Sequence, residues 1–142
     1  GRRICHRDHR VLIHATHSMT SQQKTGATGE ALAADYLERQ GLTVLERNFR
    51  VRGGELDLIC RAADVIVFVE VRLRNHKKNH ERDGAFYGGA AASITPAKQR
   101  RLILAAQHWL TRHHQHDTPC RFDCVLIDDG HLEWVRDAFT AD

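Results

Sequence analysis

The chain predicts an α/β domain, and three observations carry that prediction. A helix-forming stretch, GEALAADYLERQ, is followed by three strand-like segments in close succession, LTVLERNFR at 42–50, GELDLIC at 54–60 and VIVFVEVR at 65–72. After a long irregular stretch, a second amphipathic helix and a closing hairpin complete the order. The two middle segments also carry Glu55, Asp57 and Glu70 at a spacing that sets them on one face, so the elements that define the fold also define a candidate site.

At 142 residues the chain suits one domain with a sizeable core. Its apolar and charged fractions are those of an ordinary soluble protein, and no apolar run approaches a membrane span. A net charge of +3 with eleven histidines is mildly basic, which permits a nucleic-acid partner without requiring one. Cys5, Cys60, Cys120 and Cys124 lack CxxC spacing, so reduced thiols of a cytoplasmic protein are favoured over a disulfide framework or a zinc site.

Residues 1–24 differ from the rest, with four histidines, four arginines and no convincing periodicity. They read as an N-terminal extension, flexible or, before Met19, non-native, because Met19 is the only methionine and is taken as the natural start. The stretch lacks the apolar core and cleavage site of a signal peptide. Residues 25–142 read as a single domain.

The first helix is expected from Thr28 or Gly29 to Gln40, stopped by Gly41. Glu30 shares its apolar stripe with Ala33, Ala34 and Leu37, and a place in the first turn suits a carboxylate. The turn at Arg52, Gly53 and Gly54 then delivers the chain into the acidic strand. By alternation Glu55, Asp57 and Ile59 point together and Leu56, Leu58 and Cys60 oppose them, while Ile66, Phe68, Glu70 and Arg72 share a face in the next strand. If the connection at Ala63 and Asp64 has an even number of residues, Asp57 falls opposite Glu70 and Glu55 opposite Arg72; a slip of one residue inverts this.

Residues 73–94 show no periodicity and combine a basic run with Phe86 and Tyr87. A solvated charge run is the plain reading, and a nucleic-acid contact through Lys77, Lys78 and Arg82 the sharper one. Thr95 as N-cap and Pro96 at the first helical position open the second helix. Its apolar stripe is Leu102, Ala106, Trp109 and Leu110, with Ile103 beside it and a basic stripe of Lys98, Arg101, His108 and Arg112 next to that. His113, His114 and His116 suggest a metal, but an exposed helix terminus accounts for them better. RFDCVLI at 121–127 and HLEWVRDAF at 131–139 form a hairpin around Asp129-Gly130, which sets Val125 opposite Trp134 and pairs Asp123 with Arg136 across the strands.

Five segments, GATGEALAADYL at 26–37, ERNFRVRGGELDLI at 46–59, VFVEVR at 67–72, TPAKQRRL at 95–102 and RFDCVLI at 121–127, carry a family resemblance in their order and spacing. The chain resembles the YraN-like family of uncharacterised bacterial endonuclease-like proteins, a branch of the PD-(D/E)XK nuclease superfamily related to archaeal Holliday-junction resolvases. The resemblance implies a restriction-endonuclease-like core, α-β-β-β-α-β, with a mixed central sheet flanked by helices. It also implies a metal-dependent DNA endonuclease that hydrolyses phosphodiester bonds, with branched or junction DNA as a candidate substrate and a homodimer as a candidate assembly. An exposed edge of the first strand or of the terminal hairpin is a candidate interface for that dimer.

Carried over residue by residue, the resemblance makes Asp57 and Glu70 ligands of Mg2+ or Mn2+, with Glu30, the acid of the first helix, binding the ion directly or through water, and Glu55 as an assisting acid or a partner of Arg72. Such ions favour oxygen donors, polarise the phosphate and activate a bound water. Arg72 stands where the motif has lysine, and an arginine stabilises charge but does not transfer a proton. Arg72 is expected on the scissile phosphate, and Lys98, Gln99, Arg101 and Arg112 along the nucleic acid. The alternative is a nucleic-acid-binding module that keeps the nuclease fold while the change to Arg72 has weakened or removed hydrolysis; a scaffold for a DNA-processing partner is a third, blander reading.

Overall fold

One mixed sheet of six strands organises the molecule, in the spatial order β1-β6-β5-β4-β3-β2. The computed structural model describes residues 10–14, 26–74 and 94–141. Its elements are β1 (Arg10–His14), α1 (Gly26–Arg39), β2 (Thr43–Val51), β3 (Gly54–Ala62), β4 (Val65–Arg74), α2 (Pro96–Arg112), β5 (Cys120–Asp128) and β6 (His131–Phe139). From α1 onward the order is helix, three strands, helix, strand pair, the α/β arrangement expected from the sequence. Lys77, Lys78, Arg82, Phe86, Tyr87, Cys5 and Met19 lie outside the described residues.

Local chemistry sets the element ends. Gly41, at φ +97°, closes α1: its N–H meets the Glu38 carbonyl at 3.0 Å and the Leu42 N–H meets the Leu37 carbonyl at 3.1 Å. That pair of bonds is a Schellman cap, which satisfies two carbonyls the helix leaves open. The Thr95 hydroxyl accepts from the Lys98 N–H at 3.1 Å, and Pro96 fills the first turn, where no donor is needed. Asp129 and Gly130 both take positive φ, 50° and 88°, as the two-residue turn between β5 and β6 requires.

The sheet separates two cores. Ile59, Ile66, Phe68, Phe122 and Cys124 pack under Leu102, Ala105, Ala106 and Trp109 of α2. On the other face Leu58, Val67, Val69, Val125 and Trp134 pack under Ala33, Ala34 and Leu37 of α1. Strands β3 to β5, covered on both faces, therefore read as nearly continuous apolar runs. β4 and β5 run parallel, with Glu70 beside Cys124, and the other neighbours are antiparallel. Cys60, Cys120 and Cys124 are free thiols, and burial pushes Cys60 up to about 12 and raises Cys124 further, so both are unreactive as thiolates.

The architecture departs from the sequence reading at several points. Within residues 1–24, where no element was expected, β1 pairs antiparallel with β6 from Arg10↔Val135 to His14↔His131. β1 thereby covers the hairpin edge proposed as an interface, and β2 remains the outermost strand on the opposite side. Strict alternation in β3 fails at Leu56, which joins the α2-side core although Leu58 joins the α1-side core. The β3–β4 ladder ends at Leu58↔Val69, and Asn48, between the β2–β3 pairs Arg47↔Leu58 and Phe49↔Leu56, takes φ 52°, so the strand pair is irregular at the point where β3 leaves β4.

Asp123 is not paired across the hairpin with Arg136. The β5–β6 register shifts between Phe122 and Cys124, and Asp123 is bonded instead by Arg121 Nε at 2.9 Å, Trp134 Nε1 at 2.9 Å and the Asp137 N–H at 2.9 Å. Arg136 lies over the Trp134 ring at 4.2 Å. Val125 does face Trp134, as expected.

Candidate functional site

Two residues, Ala63 and Asp64, connect β3 to β4, and Ala62↔Val65 through Leu58↔Val69 fix the register. Continued one step, this even connection sets Asp57 across from Glu70, as the parity reading required. Where the backbone ladder stops, the Asp57 carboxylate replaces it: Oδ2 accepts the Val71 N–H at 2.8 Å. One oxygen of Asp57 is thus tied to the strand that carries Glu70, which orients the rest of the carboxylate toward its neighbours.

Asp57 lies beside both Glu70 and Glu30, which approaches it from α1, close enough for its carboxylate to act on each. Glu70 is only 5% exposed, and its Oε1 is buried without a hydrogen-bond partner. Burial, and then the Asp57 charge beside it, push the Glu70 carboxyl up from near 4.5 to about 8. Glu30 is raised for the same two reasons in the same order, with Asn48 and Arg50 acting the other way. Two acids in contact form a hydrogen bond only when one holds a proton; a cation between them removes that need.

Lys98 of α2 faces these acids. Its Nζ lies 3.1 Å from Glu55 Oε1 and 3.6 Å from Glu70 Oε2. Arg72 reaches Glu70 Oε2 at 3.9 Å. The expected partnership of Glu55 with Arg72 is replaced by one with Lys98, Arg101 at 3.5 Å and Arg50 at 3.8 Å, because β3 has left β4 by this point and lies under α2. The cause is visible at Gly54, where a Cβ would sit 2.6 Å from the Arg101 carbonyl oxygen and 3.0 Å from the Ala105 nitrogen. Only a residue without a side chain lets the helix backbone come this close.

Of the residues expected along nucleic acid, Lys98 and Arg101 stand at the acids and the other two do not. Gln99 donates its amide to the Ile94 carbonyl at 3.0 Å and braces the start of α2. Arg112 covers the Phe49 ring at 5.2 Å, and fourteen residues of helix place it roughly 21 Å from Lys98. His113 stacks on Trp109 with ring centroids 4.1 Å apart, in keeping with a structural helix end. Arg50 and Asn48 join the site without having been singled out in the sequence; the signal was there in the RNFRVRGGELD segment, where asparagine tolerates the positive φ it adopts.

The oxygen donors suit a hard divalent cation. Among the described residues no group of three or more His, Cys, Asp and Glu side chains could hold a metal ion by itself. The donor set therefore fits an ion taken by one or two carboxylates, with water and a substrate phosphate completing its shell.

A family model described as "Uncharacterised protein family UPF0102" matches residues 29–127, from the first turn of α1 to the penultimate residue of β5. The chain belongs to this family. A UPF0102 protein of Dechloromonas aromatica is 55% identical over 117 residues, 82% of this chain and 89% of the relative. One from Ralstonia pickettii is 48% identical over 131 residues, 92% and 99% of the two chains. One from Alkalilimnicola ehrlichii is 53% identical over 119 residues, 83% and 88%. The YraN-like resemblance read from the five segments is therefore borne out, and the UPF0102 match encloses every acid of the site. No helix among the described residues is long and apolar enough to cross a membrane.

Proposed function

We propose that this UPF0102 protein is a metal-dependent DNA endonuclease hydrolysing phosphodiester bonds, with branched or junction DNA as the substrate class suggested by the resolvase kinship. The observation that carries this reading is Glu70: a buried carboxylate with an unpartnered oxygen, in contact with a second carboxylate and faced by a lysine and an arginine. A folded chain that merely needed a core would favour an apolar residue here, since an uncompensated buried acid costs stability. Asp57 and Glu70 would hold Mg2+ or Mn2+, and Glu30 would reach it through water. When bound, such an ion supplies polarisation of the phosphate and a water of lowered pKa. Arg72 stays charged and takes a non-bridging phosphate oxygen, which stabilises charge that builds during in-line attack.

The test is incubation of the purified chain with magnesium or manganese and single-stranded, duplex, flap and four-way-junction DNA. Asp57→Ala and Glu70→Ala should each abolish metal-dependent cleavage; cleavage that survives both substitutions places the chemistry elsewhere. A second reading, a nucleic-acid-binding module with weakened hydrolysis, draws on Arg72, whose guanidinium cannot exchange a proton. Salt-sensitive binding without cleavage, together with activity gained in Arg72→Lys, would favour it.

A further inference from the structure

We propose that Glu55 is a positioning residue that gathers Arg50, Lys98 and Arg101 into one phosphate grip, with Lys98 the member that meets the phosphate being hydrolysed. This role rests on the DNA-cleaving reading above and assigns Glu55 to the substrate rather than to the metal.

The contacts of Glu55 argue for that division. Its Oε1 takes Lys98 at 3.1 Å and Arg101 at 3.5 Å, and its Oε2 takes Arg50 at 3.8 Å. A carboxylate engaged by three cations is a poor metal ligand, yet well suited to holding long side chains in place. The three cations come from β2 and α2, and one negative charge among them leaves the group with an excess of positive charge. Arg50 and Arg101 are largely exposed, whereas Lys98 is only 25% exposed.

Lys98 is also the link to the acids. An ammonium has three donors; one bonds Glu55, and the charge stands 3.6 Å from Glu70. Among the described residues nothing else takes its donors, which leaves one for a phosphate oxygen brought beside Glu70. Free in solution, a lysine or arginine would lose rotamer freedom at the moment of binding; Glu55 takes that cost in the unbound protein.

Ordinary electrostatics and a positioning role predict opposite signs. Removing a negative charge near DNA should tighten binding, whereas releasing the grip should loosen it. Affinity for fluorescent duplex and four-way-junction DNA is measured in EDTA across a salt series, with melting curves to confirm that each variant is folded. Glu55→Gln is expected to lose about three- to tenfold in affinity. Glu55→Asp, which keeps the charge but shortens its reach, should also weaken binding. Lys98→Met should flatten the salt slope by about one phosphate contact, and Glu55→Gln added to it should cost little more. Manganese affinity of the DNA-free chain should be unchanged in Glu55→Gln, while KM for cleavage rises.

Unchanged or tighter DNA binding in Glu55→Gln overturns the role, as do additive losses with Lys98→Met or weakened manganese binding. A wild-type chain that shows no salt-dependent DNA binding overturns the endonuclease reading and this role with it.

Discussion

Glu70 concentrates the tension of the site in one side chain. Its carboxyl is raised to about 8, chiefly by burial and next by Asp57. Below about pH 4.5 it is protonated whether the chain is folded or not; between about 4.5 and 8 only the folded chain keeps the proton. The unfolded state then binds fewer protons, so stability falls as pH rises through that interval and levels off above it. Thermal melts of the metal-free chain should show a midpoint that drops by several degrees from pH 5 to pH 8, with most of the drop absent in Glu70→Gln. The same variant should melt higher than wild type at pH 8 while losing metal-dependent cleavage, since a neutral amide removes the buried charge and the ligand together. A wild-type midpoint that is flat in pH would refute this account of Glu70.

At the scale of elements, the joint between β3 and α2 decides whether acids and cations meet. Gly54 lies so close to the Arg101 carbonyl and the Ala105 nitrogen that even a methyl group must push the helix outward. Gly54→Ala should cost about 1–3 kcal/mol in urea unfolding, and it should also weaken DNA binding, because Lys98 and Arg101 ride on the displaced turn. A variant as stable as wild type would show that the helix can shift freely and that the close approach is incidental. Gly53, at φ +83°, makes the turn that brings β3 to this contact.

Across the whole molecule, what was legible in the sequence was what short stretches determine. Thr95-Pro96, Asp129-Gly130 and Gly41 each fix an element end through their own backbone chemistry, and Asp57 met Glu70 because an even turn and side-chain alternation suffice to place them. Leu56 could not be read the same way, since alternation breaks beside Asn48 of the neighbouring strand, where the backbone takes a positive φ. Asp123 lost its cross-strand partner to a register shift that nothing in RFDCVLI announces. β1 was hidden because a short basic segment becomes a strand only when a sheet edge receives it. Lys98 was expected along the nucleic acid as one member of a basic stripe, and only the packing of α2 on Gly54 reveals that it faces Glu55 and Glu70.

The parallel pairing of β4 with β5 also sets a timetable. Glu70 lies beside Cys124, more than fifty positions away in the chain, and such distant pairings close slowly because a long loop must be ordered first. Until they close, Glu70 remains hydrated with an ordinary acidity. Refolding in weakly buffered solution near pH 6.5 should therefore draw roughly one proton from the medium, in step with formation of the central sheet rather than of either helix. An indicator dye in a stopped-flow instrument would record it, and uptake that is missing, or that persists in Glu70→Gln, would assign the proton elsewhere. The acid at the centre of the site thus doubles as a built-in reporter of when the chain has finished folding.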